Sequence, residues 1–420
     1  MARSRFLVSL IFLVFFVISL LSNILGPIVP DIISTFSASL GAAGFLVFAF
    51  FIAYGVMSIP AGFLVERYSE KPVMIGAFIG AALGSIGFAL HPTYRVAFIS
   101  LFVIGVGMAM LQVAINPLLR AAGGEEHFAL NETIAQLLFG SASFVSPWIY
   151  SYLVVNLPRT AEHNPVLDLL RHVTPEHLPW VSLYWIFAAV AVAMIVVLGV
   201  SRFPAVQHTA EERPGTADMY RSLMRRPIVW LYFLAIFAYV GCEQGTANWM
   251  SEFLSHYHGY DPHTVGARAV SWFWGLMTFG CFTGAFLLRI FDSRRILIGA
   301  ATGALILLLL GIWGTAEISV VALPLVGLFA SVMWPILISL ALNSVAEYHG
   351  SFTGILTTGI MGGALVTAII GRIGDHLGLR AGMALLYLTF GYIWSVGFWS
   401  RPLINNATIR TKGKSAPSPA

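Results

Sequence analysis

Long apolar stretches separated by short polar segments make up almost all of this 420-residue chain. Each stretch is about twenty residues or longer, enough for a helix rising roughly 1.5 Å per residue to cross a hydrocarbon layer of roughly 30 Å. None has the two-residue alternation of a membrane-spanning β-strand. The pattern predicts twelve transmembrane helices, or spans, at residues 6–29, 41–65, 73–91, 95–119, 128–154, 180–202, 228–256, 265–291, 294–313, 317–342, 352–373 and 380–400.

The composition is that of a chain that folds in lipid. Apolar residues make up 58% of the sequence, charged residues make up only 10%, and the mean hydropathy is +0.83. Soluble proteins carry roughly 25% charged residues. Backbone polar groups in lipid must be satisfied within the protein, which leaves helices or closed barrels. We therefore predict an all-α polytopic membrane protein surrounded by a lipid bilayer.

The charged and reactive side chains exclude several classes of function. The basic residues behind the net charge of +4 are scattered between spans, so no nucleic-acid partner is expected. Cys242 and Cys281 lie inside spans, which argues against a disulfide framework. His263 and the other loop histidines are expected to be solvated. No glycine-rich phosphate loop, catalytic triad or metal cluster is visible, and we predict no enzyme activity, cofactor or metal.

The basic residues also predict the orientation. Seventeen of the 23 Lys and Arg residues fall on the side that holds both chain ends. Because positive charge is retained on the cytoplasmic side, both termini are predicted to be cytoplasmic in a bacterial inner membrane. A charged, proline-rich segment divides the chain. We predict an N-terminal six-helix bundle at 1–203, a cytoplasmic linker at 204–227, a C-terminal six-helix bundle at 228–401 and a cytoplasmic tail at 402–420.

The two halves repeat one another in parallel. Span 2 ends in Glu66 and Arg67, and span 8 ends in Asp292 and Arg294. Span 4 carries an Asn-Pro pair where span 10 carries Trp-Pro. A parallel repeat of six plus six spans is the arrangement of the major facilitator superfamily, which places its substrate site between the halves near the midplane. We predict that the two acid–arginine turns form a gating latch on the cytoplasmic side.

Polar side chains inside the spans are candidate substrate contacts, because an unpaired polar group is costly in lipid. Glu243 lies near the middle of span 7, where a charged carboxylate costs about 2.5–3.5 kcal/mol on insertion scales. Tyrosine and tryptophan suit a ligand with an apolar ring face and hydroxyl edges, such as a sugar. Helix packing and interfacial anchoring are the alternative roles. The candidates are Asn23, Gln112, Asn116, Asn131, Gln136, Tyr239, Glu243, Gln244, Asn248, Trp249, Trp274, Trp334 and Asn343.

A series of short motifs extends over nearly the whole chain. Each motif alone is weak evidence for a family, but their order along the chain is fairly specific. They are Asn23 with Pro30, Gln112-Val-Ala-Ile-Asn116-Pro117, Ala135-Gln136, Val166-Leu167-Asp168, Tyr239-Val-Gly-Cys-Glu243, Gly280-Cys281-Phe282-Thr283-Gly284 and Trp334-Pro335. At these residues the chain resembles the fucose:proton symporter family of sugar transporters, including its bacterial glucose/galactose branch.

The resemblance implies a secondary transporter that works by alternating access as a monomer, with a monosaccharide between the halves. The matched contacts are Asn23, Gln136 and Glu243. In the fucose branch an acid on span 1 and an acid on span 4 support proton coupling, and the matching positions here are Gly26 and Gln112. Neither of these titrates, so coupling to a proton or sodium ion would fall to Glu243. An uncoupled sugar facilitator and an exporter of drugs or amphiphiles are the alternatives.

Overall fold

The computed structural model describes residues 5–123, 128–159, 164–201, 203, 217–345 and 349–402. In these ranges the regular secondary structure is helical, with no strand. Twelve helical segments are long and apolar enough to cross a membrane. The prediction of an all-α fold with twelve spans is confirmed.

Six spans form the N-terminal half. Span 1 consists of α1 (Arg5–Ser22) and α2 (Leu25–Phe36), span 2 is α3 (Leu40–Tyr68), span 3 is α4 (Glu70–Leu90), span 4 is α5 (Tyr94–Gly123) and span 5 is α6 (Phe128–Asn156). The short helix α7 (Pro165–Val173) precedes span 6, which joins a 3₁₀ turn (Pro179–Val181) to α8 (Ser182–Val200).

The C-terminal half repeats this order after α9 (Ala217–Met224). Span 7 is α10 (Pro227–His258), span 8 joins a π-helical turn (Pro262–Gly266) to α11 (Ala267–Ile290), and span 9 is α12 (Ser293–Trp313). Span 10 consists of α13 (Ala316–Ala330) and α14 (Met333–Leu342), span 11 of α15 (His349–Thr358), a 3₁₀ turn (Gly359–Met361) and α16 (Gly362–Leu377), and span 12 of α17 (Leu379–Met383) and α18 (Leu385–Trp399). Residues 204–216 of the predicted linker and 403–420 of the predicted tail lie outside the described residues, so those boundaries stay predictions.

Proline explains the breaks in spans 1 and 10. Proline has no N–H group, so the carbonyl four residues before it receives no helical hydrogen bond. In span 1 this carbonyl belongs to Asn23, and the helix turns there before Pro27. In span 10 it belongs to Ser331, four residues before Pro335, and the Cys281 thiol donates to it at 3.7 Å. Both breaks therefore place polar backbone near the middle of the molecule.

The two halves meet closely on one side. We call the side with the loops after spans 1, 3, 5, 7, 9 and 11 the odd-loop side, and the side with both chain ends the terminus side. A Cβ added at Gly26 of span 1 would lie 2.3 Å from the carbonyl oxygen of Ala247 on span 7. One at Gly44 of span 2 would lie 3.0 Å from the carbonyl oxygen of Thr367 on span 11. Small residues allow such backbone contacts in membranes.

Hydrogen bonds between the halves add to this closure. The Asp375 carboxylate at the end of span 11 accepts from the Ser39 hydroxyl at 2.9 Å and from the Gly41 N–H at 3.0 Å. It thus satisfies the first turn of span 2, where the helix dipole favours an anion. The Ser271 hydroxyl of span 8 donates to the Phe144 carbonyl oxygen of span 5 at 2.5 Å. All these bonds lie in the odd-loop half of the molecule.

Removing the Asp375 carboxylate should open the odd-loop side. We expect Asp375→Ala to raise the odd-loop-open fraction about tenfold or more, because one hydrogen bond to a charged group is worth roughly 1.5–3 kcal/mol. Spin labels at Thr93 and Thr315, exposed odd-loop positions in opposite halves, would measure the separation by pulsed electron resonance. Cys281→Ser removes the exposed thiol in advance, and Cys242 is buried.

The control for this experiment is Asp168→Ala, which removes an acid paired with Arg171 of its own half at 2.5 Å. It should leave the distance distribution unchanged. If Asp375→Ala gave the same distance distribution as the control, the hydrogen bonds from Asp375 to the start of span 2 would not be what holds the halves together.

The halves separate toward the terminus side. A Cβ added at Gly62 of span 2 would meet no atom within 4 Å. The Gln136 side chain of span 5 is exposed, as are those of Phe282 and Phe286 on span 8. Together with the cross-half contacts that cluster in the odd-loop half, these exposed positions indicate a wedge between the halves that is closed on the odd-loop side and open on the terminus side.

Candidate functional site

A chain of amides leads to a carboxylate in the middle of span 7. The Asn248 amide donates to the Gln244 side-chain oxygen at 3.3 Å, and the Gln244 amide donates to the Glu243 carboxylate at 3.0 Å. Asn248 and Gln244 share a helix face because they are four residues apart. Both amides are buried, whereas Glu243 is half-buried. Glu243 is thus the last of three hydrogen-bonded polar side chains, on the terminus side of Gln244 and Asn248. Part of its surface remains exposed.

Aromatic and sulfur groups surround the same carboxylate. The Tyr239 hydroxyl, one turn earlier on span 7, lies close enough to interact with the Glu243 carboxylate. The Trp334 ring of span 10 lies 5.8 Å from the Tyr239 ring, centroid to centroid. The Cys281 thiol of span 8 is close enough for the charge of Glu243 to act on it. Spans 7, 8 and 10 therefore contribute to one pocket wall in the C-terminal half.

A second polar cluster lies in the N-terminal half, at the break in span 1. The Asn23 amide donates to the Ser143 hydroxyl of span 5 at 2.8 Å and to the Ser19 hydroxyl at 3.4 Å. The two serine hydroxyls lie 2.6 Å apart, and Ser19 donates to the Phe139 carbonyl oxygen at 2.5 Å. Asn23 is buried. Its amide is fixed in place by span 5.

The contact between Gly26 and Ala247 brings these two clusters to the same depth. Asn23 comes three residues before Gly26, and Glu243 comes four residues before Ala247. At a helical rise of about 1.5 Å per residue, both lie roughly 5–6 Å from the contact, on its terminus side. Spans 1 and 7 run in the same direction. Asn23 and Glu243 therefore lie at a similar depth in opposite halves, near the closed end of the wedge.

The remaining polar candidates of the N-terminal half lie nearer the terminus side. Gln112 is half-buried on span 4, and the side chain of Asn116 lies outside the described part of the structure. On span 5, Asn131 is half-buried, and the exposed Gln136 donates to the Glu132 carboxylate at 3.0 Å. The structure places Gln136 in the open part of the wedge and not at its closed end.

Three candidates of the C-terminal half are held in packing arrangements. Trp249 is fully buried, and its indole N–H donates to the Thr367 carbonyl oxygen at 3.0 Å. The Trp274 side chain is buried beside Phe273, and its indole N–H has no hydrogen-bond partner among the described residues. Asn343, at the end of span 10, donates to Ser339 at 3.4 Å. In this conformation Trp249 seals the odd-loop side instead of lining the wedge.

The predicted latch residues lie at the terminus side of spans 2 and 8. The Arg67 guanidinium lies 5.3 Å from the centroid of the Tyr68 ring, and the side chain of Glu66 lies outside the described part. Arg294 pairs with Asp292 at 3.2 Å. Burial would raise the pKa of Asp292, but the hydrogen bonds and charge of Arg294 outweigh it and hold that pKa below its usual value. The latch across the halves stays a prediction.

Comparison with known proteins agrees with this architecture. Residues 11–368 match the profile of the Major Facilitator Superfamily. The chain belongs to this superfamily. Within it, the glucose/galactose transporter of Brucella abortus biovar 1 (strain 9-941) is 30% identical over 92% of this chain and 91% of that protein. The L-fucose-proton symporter of Escherichia coli K12 is 27% identical over 87% of this chain and 86% of that protein.

A solved structure of the same superfamily shows the same fold. The crystal structure of the E. coli fucose:proton symporter superposes with a TM-score of 0.65 at 23% sequence identity, and covers 94% of this chain and 98% of that one. The resemblance to the fucose:proton symporter family is confirmed by these relatives.

Several residues of this major facilitator protein escaped the sequence analysis. Ser19 and Ser143, the partners of Asn23, have no signal beyond being hydroxyls in apolar spans. Asp31 was missed because span 1 was predicted to end at 29, whereas α2 continues to Phe36. His263, expected to be solvated, instead contacts Asp31 at 2.9 Å. The sequence did contain a signal for Asp31, namely an acidic residue within an apolar run that continues beyond residue 29.

Proposed function

We propose that this protein is a secondary transporter that moves a monosaccharide across a bacterial cytoplasmic membrane by alternating access, as a monomer. The observation that carries the proposal is the pair of facing clusters at the closed end of the wedge. Amides and a carboxylate from Asn23, Gln244 and Glu243 suit sugar hydroxyls, and the Tyr239 and Trp334 rings suit the apolar face of a pyranose. The names of the relatives, a glucose/galactose transporter and a fucose symporter, support the same class.

The predicted orientation of the spans makes the open side cytoplasmic. The excess of Lys and Arg on the terminus side favours retention of that side in the cytoplasm. The wedge then opens inward, and the odd-loop side faces the periplasm. Substrate release to the cytoplasm requires no further opening, whereas substrate capture requires the contacts at Gly26, Gly44 and Asp375 to separate. The acid–arginine turns at Arg67 and Asp292 would close the cytoplasmic side in that state.

Coupling to a cation is assigned to Glu243. The position that matches the span 1 acid of the fucose branch is Gly26, and the position that matches its span 4 acid is Gln112. Glu243 is an acid at the depth of the substrate clusters, and its partners Gln244 and Tyr239 can hydrogen-bond to either protonation state. An uncoupled facilitator is the alternative, favoured by the loss of the two matching acids.

Uptake of a panel of radiolabelled monosaccharides into proteoliposomes tests the proposal. We expect one hexose or deoxyhexose to accumulate above its external concentration when a proton or sodium gradient is imposed, because a symporter converts the ion gradient into a sugar gradient. Equilibration without accumulation would make the protein a facilitator. Absence of uptake of every sugar, in protein whose helicity and monodispersity are intact, would remove the sugar assignment and leave drugs or amphiphiles as substrates to be screened.

A further inference from the structure

A cluster of titratable side chains joins the two halves at the odd-loop side, away from the substrate clusters. Asp31 of span 1 is 8% exposed. Its carboxylate accepts a hydrogen bond from the Tyr150 hydroxyl of span 5 and lies 2.9 Å from the Nε2 atom of His263. His263 belongs to the π-helical turn that begins span 8, so the contact crosses from one half to the other.

This cluster is distinct from the site proposed for the sugar. Asp31 follows Gly26 by five residues, which places it about 7.5 Å further toward the odd-loop side at a helical rise of about 1.5 Å per residue. Asn23 and Glu243 lie on the other side of the Gly26 contact. The side chain of His263 is 34% exposed, so water on the odd-loop side reaches the imidazole.

We propose that Asp31 and His263 form a proton-binding site that holds the odd-loop side closed. A protonated imidazole donates a charge-assisted hydrogen bond to a carboxylate, which is roughly twice as strong as the bond of a neutral imidazole. Histidine in water titrates near pH 6.5, within the range that a bacterial exterior experiences. A proton taken from water on the odd-loop side therefore stabilises the closed state, and its loss allows the halves to separate.

The partners within each half make this contact reversible. When the halves separate, Asp31 keeps the hydroxyl of Tyr150. His263 keeps Asp261, whose carboxylate lies 3.6 Å from Nδ1 and accepts from the His263 backbone N–H at 3.1 Å. Neither charged group is left without a partner, which would otherwise make opening very costly. At this cluster, opening thus breaks the bond between Asp31 and His263 and keeps the others.

Other titratable groups lie on spans 1, 5, 7 and 8, which pack against the turn that holds His263, but none of them takes the place of His263 opposite Asp31. Toward the odd-loop ends of these elements, the titratable and charged groups are Asp31 on span 1, Tyr150 and Tyr152 on span 5, Glu252, His256, Tyr257 and His258 on span 7, and Asp261 and Arg268 beside His263 itself. Arg268 lies over the Trp148 ring at 6.0 Å, and Glu252 interacts with His256. His263 is therefore the titratable group that faces Asp31 across the halves.

Pulsed electron resonance with the Thr93–Thr315 label pair tests the proposal in the full-length protein in nanodiscs. Between pH 5.5 and 8 we expect the odd-loop-open fraction to rise about tenfold, the change produced when the proton affinity of the site differs tenfold between the two states. His263→Gln, which keeps a hydrogen-bonding amide without a charge, should reduce this to less than about twofold. His172→Gln, at an exposed odd-loop histidine, should keep the wild-type response.

Tyr150→Phe distinguishes the proposed site from a general loss of structure. This variant removes the partner that Asp31 keeps on opening, so the closed state should be favoured at every pH while the response to pH remains. A pH response that is equal in wild type, His263→Gln and Asp31→Asn would overturn the proposal. The readout is conformational, so the outcome does not depend on which substrate the protein carries.

Discussion

Transport should be almost lost when Gly26 is replaced by valine. A Cβ at this position lies 2.3 Å from the Ala247 carbonyl oxygen and 3.2 Å from the Asn248 Cα, and both atoms belong to the backbone of span 7. Backbone cannot rotate away as a side chain does, so spans 1 and 7 must move apart. At an overpacking cost of about 1–3 kcal/mol, the odd-loop-closed fraction should fall roughly 5- to 150-fold.

The measurement combines uptake with the Thr93–Thr315 distance distribution. Gly26→Val should populate the odd-loop-open state and bind substrate from that side without releasing it to the other. Gly391→Val is the matched control, because a Cβ at Gly391 of span 12 meets no atom within 4 Å. Wild-type uptake and distances in Gly26→Val would contradict the close contact between spans 1 and 7.

This contact also gives a physical reason for the absence of an acid at Gly26. In the fucose branch that the chain resembles, the matching position holds a carboxylate. Here even a methyl group does not fit in the closed state, so a carboxylate would force spans 1 and 7 apart. We therefore expect Gly26→Asp to behave as Gly26→Val does, and not to supply a second coupling acid.

The second large effect is expected for Glu243→Gln, which keeps the size of the side chain and removes its charge. Sugar transport should fall by about 10- to 150-fold in kcat/KM, because hydrogen bonds to a charged group are worth roughly 1.5–3 kcal/mol. Glu252→Gln serves as the control: it removes a half-buried acid from the same helix, and should change transport less than about threefold.

Two assays separate the possible roles of Glu243. Gradient-driven accumulation requires both substrate binding and cation coupling, whereas counterflow between equal sugar concentrations requires binding alone. Loss of accumulation with intact counterflow would assign Glu243 to coupling. Loss of both would assign it to the substrate. Unchanged values in both assays would remove Glu243 from the site and leave Asn23, Gln244 and Tyr239 to be tested.

Much of this architecture could be predicted from the sequence, because it depends on local physical constraints. A run of about twenty apolar residues has to be a membrane helix in lipid, so the number of spans and the all-α fold followed from hydropathy. The parallel repeat predicted two halves of six spans each. The cost of a charge at the centre of a span made Glu243 a candidate from its position in the chain alone.

Other features were decided by the tertiary structure alone. Lipid tails and the protein interior are equally apolar, so the apolar pattern of a span does not mark the face that packs inward. The contact between Gly26 and Ala247, the partners of Asn23 and the pair of Asp31 with His263 join residues far apart in the chain. Each depends on how the two halves are positioned. The sequence by itself therefore determined the spans, the repeat and the central acid, whereas the packing of one half against the other decided the closed side and the groups that hold it.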